Sequence, residues 1–362
     1  MKIAVWSDLH LGKRMYRTDE NNINKYEQAG YKAAEQFVNT IIAEKPDILI
    51  NCGDSFEIAN PHVLPINIFA RLQKKLHEAK IPLMTIIGNH EFSFANKKSK
   101  CSAAEMAYHD YFADYEIKTE EIDGILFVLA PYVYDTDANI EAYLNKIDEL
   151  ASNSTCDKKI LVIHGMTEKY HRDNPMVSAD KILLSDELVE KFNLVLIGHI
   201  HTPFAYKHKD TLVISPGALI DYQAYVDRTG PCFIDTDDWS FKRIKIKTPH
   251  IIKVECNKNN INETLKNVEE DMIYHISFKG DTSVIDNDLF IEAKNKTINL
   301  VIDVIPDEKI VEVAQKKLDL NLFSWVAQNY PDYKNQFEKA KEALVWQKNN
   351  KNLNTIALTV LN

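Results

Sequence analysis

Lys2-Ile3-Ala4-Val5-Trp6-Ser7-Asp8-Leu9-His10 decides the fold: an apolar run that reads as a strand, Lys2–Trp6, carries an Asp and a His at its carboxyl end. The same arrangement recurs down the chain. Asp47–Asn51 precedes Gly53-Asp54, and Pro82–Ile87 precedes Gly88-Asn89-His90-Glu91. Ile160–Ile163 precedes His164-Gly165, and Leu194–Ile197 precedes Gly198-His199-Ile200-His201. Loops at strand ends thus supply two Asp, one Asn and five His. Such a set can hold two divalent metals beside a catalytic acid or base.

Between these strands the chain reads as helix. Asn24–Glu44 places Ala33, Ala34, Phe37, Val38 and Ile41 on one face, and Pro65–Glu78 does the same with Ile68, Phe69, Leu72 and Leu76. Ala138–Leu150 is a third helix. Near-continuous apolar strands indicate a buried α/β sheet, whose ligands sit at the strands' carboxyl ends. From Phe204 to Lys247 the pattern shifts to short strands, Leu212–Ser215, Cys232–Asp235 and Phe241–Lys247, which read as a second sheet closing a sandwich. Beyond Thr248-Pro249, strand (Ile251–Cys256), helix (Asn262–Met272), strand (Ile273–Phe278), helix (Asp286–Lys294) and strand (Thr297–Ile305) make a small separate unit. After Pro306 the pattern is helical, and Tyr333, Phe337, Ala340 and Leu344 form an amphipathic stripe.

The residue types define the chemistry. Asp8 and His10, two apart, share a face if their segment is extended, and His199 and His201 repeat that spacing. Asp54 is the natural bridge because a carboxylate can serve two cations. Asn89 is a neutral oxygen ligand. Mixed O/N ligation without thiolate suits Mn, Fe, Zn or Mg, with Mn2+ the expected ion. Two such ions about 3.5–4 Å apart would polarise a phosphoryl group and acidify a bridging water, giving a metal-bridging hydroxide as nucleophile. His90, next to a ligand, is placed to act as general acid or to stabilise transition-state charge.

Bulk properties narrow the classes. A chain of 362 residues is too long for one ordinary core. No run of 18 apolar residues exists, so no transmembrane helix and no membrane association is expected. Five cysteines, Cys52, Cys101, Cys156, Cys232 and Cys256, are scattered and never spaced C-x-x-C. That argues against a disulfide framework and fits a reducing cytoplasm. A net charge of −10 argues against non-specific coating of nucleic acid. Two basic clusters nevertheless follow site motifs directly: Lys13, Arg14 and Arg17, and Lys97, Lys98 and Lys100. They are candidate contacts to substrate phosphate.

At these residues the sequence resembles the calcineurin-like metallophosphoesterase superfamily, whose pattern is D-x-H, G-D, G-N-H-[DE], a further His and G-H-x-H. The resemblance implies an α/β fold, a four-layer αββα sandwich with a small α+β capping domain and a helical C-terminal segment. It implies that Asp8, His10, Asp54 and His201 hold one ion and that Asp54, Asn89, His164 and His199 hold the other. It makes His90 the catalytic His and Glu91 its carboxylate partner. Ser7-Asp8-Leu9-His10-Leu11-Gly12 with the basic residues after it looks like the SbcD branch, the double-strand-break-repair nucleases. Asp54-Ser55-Phe56 lacks the D-R-G of the protein phosphatases. That branch carries a His three residues after the bridging Asp, where this chain has Glu57; its glycine/proline turn reads Ser215-Pro216-Gly217 here.

The resemblance therefore implies a two-metal DNA exo/endonuclease acting with an SbcC-type SMC-like ATPase in DNA end processing, repair and recombination. The layout would be a nuclease domain over 1–248, a DNA-contacting cap over 250–305 and an ATPase-docking segment over 307–362. It also implies a homodimer formed near Pro65–Glu78 and Ser102–Phe112. The alternatives are a metallophosphodiesterase or phosphatase acting on a small nucleotide or phosphoprotein, which the acidic charge favours, and a scaffold that has lost catalysis.

Overall fold

The computed structural model of the protein describes residues 1–16, 18, 24–91, 110–133, 137–177, 180–220 and 230–305. In chain order the first elements are β1 (Lys2–Trp6), α1 (Lys25–Glu44), β2 (Ile48–Asn51), α2 (Val63–Glu78), β3 (Leu83–Ile86) and β4 (Tyr111–Ala113). They are followed by β5 (Lys118–Ile122), β6 (Ile125–Ala130), α3 (Asp137–Asn153), β7 (Lys158–His164), β8 (Met166–Thr167), α4 (Glu168–Asp173), β9 (Leu183–Leu184) and α5 (Asp186–Val189). β10 (Leu194–Gly198), β11 (Phe204–His208), β12 (Thr211–Ser215), β13 (Cys232–Asp235) and β14 (Phe241–Arg243) complete the main body.

Two six-stranded mixed sheets result, in the orders β14-β13-β1-β2-β3-β4 and β11-β12-β10-β7-β6-β5. Strands β1 to β4 run parallel, as do β12, β10, β7 and β6, while β13, β14, β11 and β5 pair antiparallel at the flanks. The period-2 alternation of each strand assigns its two faces. Ile3, Val5, Ile48, Ile50, Met84 and Ile86 face Phe127, Leu129, Ile160, Val162, Leu194 and Leu196 in a core between the sheets. The alternate residues Ala4, Trp6 and Leu49 pack outward on Phe37, Ile41, Phe69 and Leu72 of α1 and α2. On the other sheet Val128, Leu161 and Val195 pack outward on Ile140 and Ile147 of α3. The order of layers is therefore αββα, as the family resemblance implied. Strands buried on both faces explain the near-continuous apolar runs.

The helices begin and end where the sequence chemistry dictates. Asn24 caps α1, its side chain accepting from Glu27 N at 3.0 Å, and Lys45 closes it in the left-handed region at φ 47°. A third sheet is wholly parallel: β15 (Ile251–Asn257), β16 (Ile273–Lys279) and β17 (Asn299–Ile305), crossed by α6 (Ile261–Lys266) and α7 (Asn287–Lys296). Ile251 and Ile273, the first residues of β15 and β16, and Ile298, just before β17, join the cluster beneath α1, where Lys32 Nζ also meets Asp271 Oδ2 at 2.7 Å. The helical reading of 307–362 lies outside the described residues.

Three expectations are corrected. Residues 204–247 do not form a sheet of their own: β11 and β12 extend the second sheet beside β10, and β13 and β14 extend the first beside β1. Their side-chain pattern marks strands but carries no information on the pairing partner. The last strand ends at Arg243: Ile244 N still donates to Pro231 O at 2.7 Å, but Pro231 has no N–H to return the bond, and Ile244 and Ile246 turn into the helix-facing core. The helix expected over 262–272 stops at Lys266. Ile261, Leu265, Val268 and Met272 keep helical spacing, but the last two fill the same small core from the turn that follows. Of β4 to β6, which the sequence reading passed over, β4 was hidden by its three residues and β5 by its exposure, while β6 is a fully buried apolar run of the kind recognised elsewhere.

Phe37 is fully buried with its ring 5.0 Å from that of Trp6. Phe37→Ala is expected to cost about 3–5 kcal/mol in urea unfolding, the usual range for a buried Phe in a core that cannot collapse. A loss below about 1 kcal/mol would show that α1 is not docked on the first sheet as described.

Candidate metal centre

Every motif loop leaves the carboxyl end of a parallel strand, from β1, β2 and β3 in one sheet and β7 and β10 in the other. The stacked sheets bring these ends together. Asp8 and His10 do converge, but not as alternate residues of an extended strand. Both lie in the left-handed region, at φ 50° and 45°, as do Asp54 at 53° and His199 at 82°. The turn is pinned to the next loop by Asp8 N to Gly53 O at 3.0 Å and His10 N to Asp54 O at 3.0 Å. Positive φ at four non-glycine site residues is backbone strain that the surrounding packing must hold. Gly88 is required for close approach: a Cβ there would stand 2.1 Å from Asp54 Oδ1. The group it approaches is a site carboxylate.

The site side chains fall into two groups joined by one atom. In the first, His10 Nε2 and His201 Nε2 face each other at 3.0 Å, with Asp8 Oδ1 at 4.0 and 3.9 Å from them. In the second, His164 Nε2 and His199 Nδ1 both point at Asn89 Oδ1, at 3.0 and 2.9 Å. Asp54 Oδ2 lies 3.8 Å from His10 Nε2 and 3.4 Å from His164 Nε2. A single oxygen thus reaches both groups, while Oδ1 accepts from His90 N at 2.9 Å.

The outer nitrogens fix what the inner ones offer. His164 Nδ1 donates to Cys52 O at 2.8 Å, and His199 Nε2 meets Asp180 Oδ2 at 2.7 Å. In neutral rings both inner nitrogens then present lone pairs, and both face an amide oxygen that has only lone pairs to offer. Acceptors gathered on acceptors repel unless a proton or a cation sits among them. The first group is different: one neutral ring can donate its Nε2–H to the Nε2 lone pair of the other, so the 3.0 Å contact of His10 and His201 is satisfied without a cation. The donor set, imidazole nitrogens with carboxylate and amide oxygens, fits divalent Mn, Fe, Zn or Mg.

Without a metal, protons take that place. Burial disfavours charge on His164, but the Asp54 carboxylate outweighs it and raises the pKa to about 9. Burial likewise opposes ionisation of Asp54, yet His164 and His10 hold its carboxyl well below the usual range. His10 is raised, with Glu57 and Asp54 overcoming burial, while burial lowers His201.

Three residues beyond the expected set, Glu57, Asp180 and Tyr132, shape the site together with the expected Glu91. Glu57, 26% exposed at its side chain, lies 2.8 Å from His10 Nδ1, though the ring N–H is not aligned for a hydrogen bond, and takes Lys13 Nζ at 3.2 Å. Asp180, on the loop before β9, holds His199. Tyr132 stands edge-on to His164 and stacks on His199. Glu91 is buried and accepts from Ser55 N and Gly88 N, both at 2.9 Å; burial and the Asp54 charge raise its pKa to about 7. The partnership implied between Glu91 and His90 is not made. His90 Nδ1 instead donates to the Glu57 carbonyl at 2.8 Å, leaving Nε2 on the exposed side of a ring packed edge-on against His10. Of these residues only Glu91 and Glu57 carried a motif signal.

The basic residues are less free than their sequence positions imply. Lys13 is engaged by Glu57, and Arg14 Nε donates to buried Glu27 Oε2 at 2.8 Å. Arg17, Lys97, Lys98 and Lys100 lie outside the described residues. No described helix is long and apolar enough to cross a membrane.

Residues 1–217 match the family model for calcineurin-like phosphoesterases, and the chain belongs to that family of metal-dependent phosphoesterases. It is similar to the DNA double-strand break repair protein Mre11 of Methanocaldococcus jannaschii, at 26% identity over 276 residues that cover 73% of this chain and 72% of the relative. The protein of that name from Sulfurisphaera tokodaii is 28% identical over 304 residues, 76% of this chain and 72% of the relative. Among solved structures, a dimetal phosphatase from Danio rerio aligns at 11% identity with a TM-score of 0.42, over 64% of this chain and 91% of its own.

The protons predict a pH dependence. Glu91 and His164 have raised folded-state pKa values, so each stabilises the metal-free fold while protonated. The Glu91 contribution fades between about 4.5 and 7, and that of His164 between about 6.5 and 9. The Tm of metal-free protein should therefore fall as pH rises through this window. Metal binding must displace the His164 proton, so affinity should climb by up to about tenfold per pH unit towards about pH 9. A metal-free Tm that stays level from 6.5 to 9 would contradict the His164–Asp54 pairing.

Proposed function

We propose that this chain is a two-metal DNA nuclease, hydrolysing phosphodiester bonds at DNA ends. The observation that carries the reading is Asp54 Oδ2, within 4 Å of ring nitrogens in both groups, at 3.8 and 3.4 Å. Asp8, His10, His201 and Asp54 would hold one divalent ion, and Asp54, Asn89, His164 and His199 the second. Such ions supply Lewis-acid polarisation of a phosphoryl oxygen and acidification of water. Mn2+ suits the donors, with Mg2+, Fe or Zn also compatible.

The chain's own residues do the rest. Asp54 and Asp8, buried and anionic, keep the centre attractive to cations. His90, with Nδ1 tied to the Glu57 carbonyl, would present Nε2 to substrate, donating a proton to the leaving oxygen or stabilising charge on the transferring group. The nuclease reading is supported by the similarity to two double-strand break repair proteins. By the same similarity we infer a partition at 248/250 and 305/307, with the small parallel sheet as a DNA-contacting cap and 307–362 docking an SMC-like ATPase. A homodimer and a cytoplasmic setting belong to the same reading. The net charge of −10 and the engagement of Lys13 and Arg14 by internal carboxylates favour a second reading, a phosphodiesterase for small nucleotides.

End-labelled linear duplex DNA distinguishes them. Purified protein with Mn2+ should shorten it, and EDTA should stop the reaction. His90→Ala should lose about 10²-fold or more in rate, as expected for a general acid, while still binding two Mn2+ ions; loss of metal in that variant would refute its assignment as a non-ligand. Asp54→Ala should lose both ions. Hydrolysis of a chromogenic phosphodiester with every DNA end intact would move the assignment to the small-nucleotide reading.

A further inference from the structure

Asp180 belongs to no motif, yet its carboxylate is turned inward, away from solvent. Its side chain is 6% exposed, and burying a carboxylate is unfavourable unless its oxygens are hydrogen-bonded. Two groups meet it: Ile182 N donates to Oδ1 at 2.9 Å, and His199 Nε2 lies 2.7 Å from Oδ2. The ring N–H is not aligned for a full hydrogen bond, but a lone pair on Nε2 would be repelled by an anionic oxygen at 2.7 Å, which favours the proton on Nε2. The lone pair of the neutral ring then belongs to Nδ1, the atom that faces Asn89 Oδ1 at 2.9 Å.

The segment bearing Asp180 is fastened to the site. Met166 N donates to Ile182 O at 2.9 Å, and β8 pairs in parallel with β9 through Met166–Leu183 and Thr167–Leu184. This clamp needs Gly165, the residue after candidate ligand His164. A Cβ there would stand 2.8 Å from Ile182 Cγ2 and 2.9 Å from Ile182 O. The glycine of the His164-Gly165 motif therefore serves the approach of the Asp180 loop.

We propose that Asp180 is a positioning residue that locks His199 in the Nε2–H tautomer and aims Nδ1 at the second ion. The inference rests on the two-metal reading and extends it to a residue outside every motif. The first group has a different arrangement. His10 faces Glu57, which is more exposed and shared with Lys13, so its carboxylate charge is partly neutralised. Asp180 makes no ion pair with a Lys or Arg among the described residues, and its nearest ring nitrogen is His199 Nε2. Removing it should weaken one site and spare the other.

The test is Mn2+ titration of the full chain, followed by electron paramagnetic resonance and calorimetry. Wild type should bind two ions. Asp180→Ala should bind one with unchanged affinity and the second about 10–100-fold more weakly, the usual effect of losing a carboxylate behind a ligand His. Asp180→Asn, whose amide oxygen can still accept from Nε2–H, should recover most of that loss. Nitrogen-15 spectra of histidine-labelled, metal-free protein at pH 8, with the His199 signals assigned by their loss in His199→Gln, should show that ring held wholly as Nε2–H in wild type and shifted towards a tautomer mixture in Asp180→Ala. That measurement, with Asp180→Asn, decides the matter if Asp180→Ala does not fold. Two ions bound by Asp180→Ala as tightly as by wild type would overturn the role of Asp180 alone. A wild type that binds fewer than two ions would overturn the two-metal reading and this inference with it.

Discussion

The buried carboxylate of Asp54 is the constraint on which the site depends. It sits at the carboxyl end of β2, in the left-handed region, with one oxygen facing His10 and His164 and the other accepting the His90 amide. A buried anion among imidazoles is stable only while something positive shares the space. In the metal-free protein that is the proton on His164; with metals bound it would be the ions. The fold supplies the enclosure, because two stacked sheets set the ends of β1, β2 and β3 against those of β7 and β10.

Much of this was legible in the sequence. The strands that feed the site are short apolar runs ending in Asp, Asn or His, and nearly every such strand was placed within a residue or two. The candidate ligands Asp8, His10, Asp54, Asn89, His164, His199 and His201 are all brought together. Legibility came from locality: each motif is a strand end with its chemistry within a few residues of it. The four-layer order came from the family resemblance; the apolar runs and period-3.6 stripes by themselves indicated buried strands with helices packed on them.

What stayed hidden was non-local. The pairing of residues 204–247 with two different sheets is set by which edge is open, and no residue in the segment reports that. The helix spacing of Ile261, Leu265, Val268 and Met272 survives in a turn because a core can be filled from either conformation. Asp180 could not be found by motif, since its meaning lies in a contact with His199, nineteen positions away. The carboxylate partner of His90 failed for a related reason. Glu91 lies next to it in sequence, but alternate directions of neighbouring side chains send Glu91 inward to cap Ser55 N and Gly88 N. The usual His three residues after the bridging Asp is replaced here by Glu57, whose carbonyl holds His90 and whose carboxylate faces His10.

The central claim, that Asp54 is shared between two cations, is tested most directly by anomalous diffraction from crystals grown with Mn2+. The account predicts two anomalous peaks about 3.5–4 Å apart, with the Asp54 carboxylate between them, Asp8, His10 and His201 on one side, and Asn89, His164 and His199 on the other. A single peak, or two peaks with Asp54 bound to only one, would contradict it.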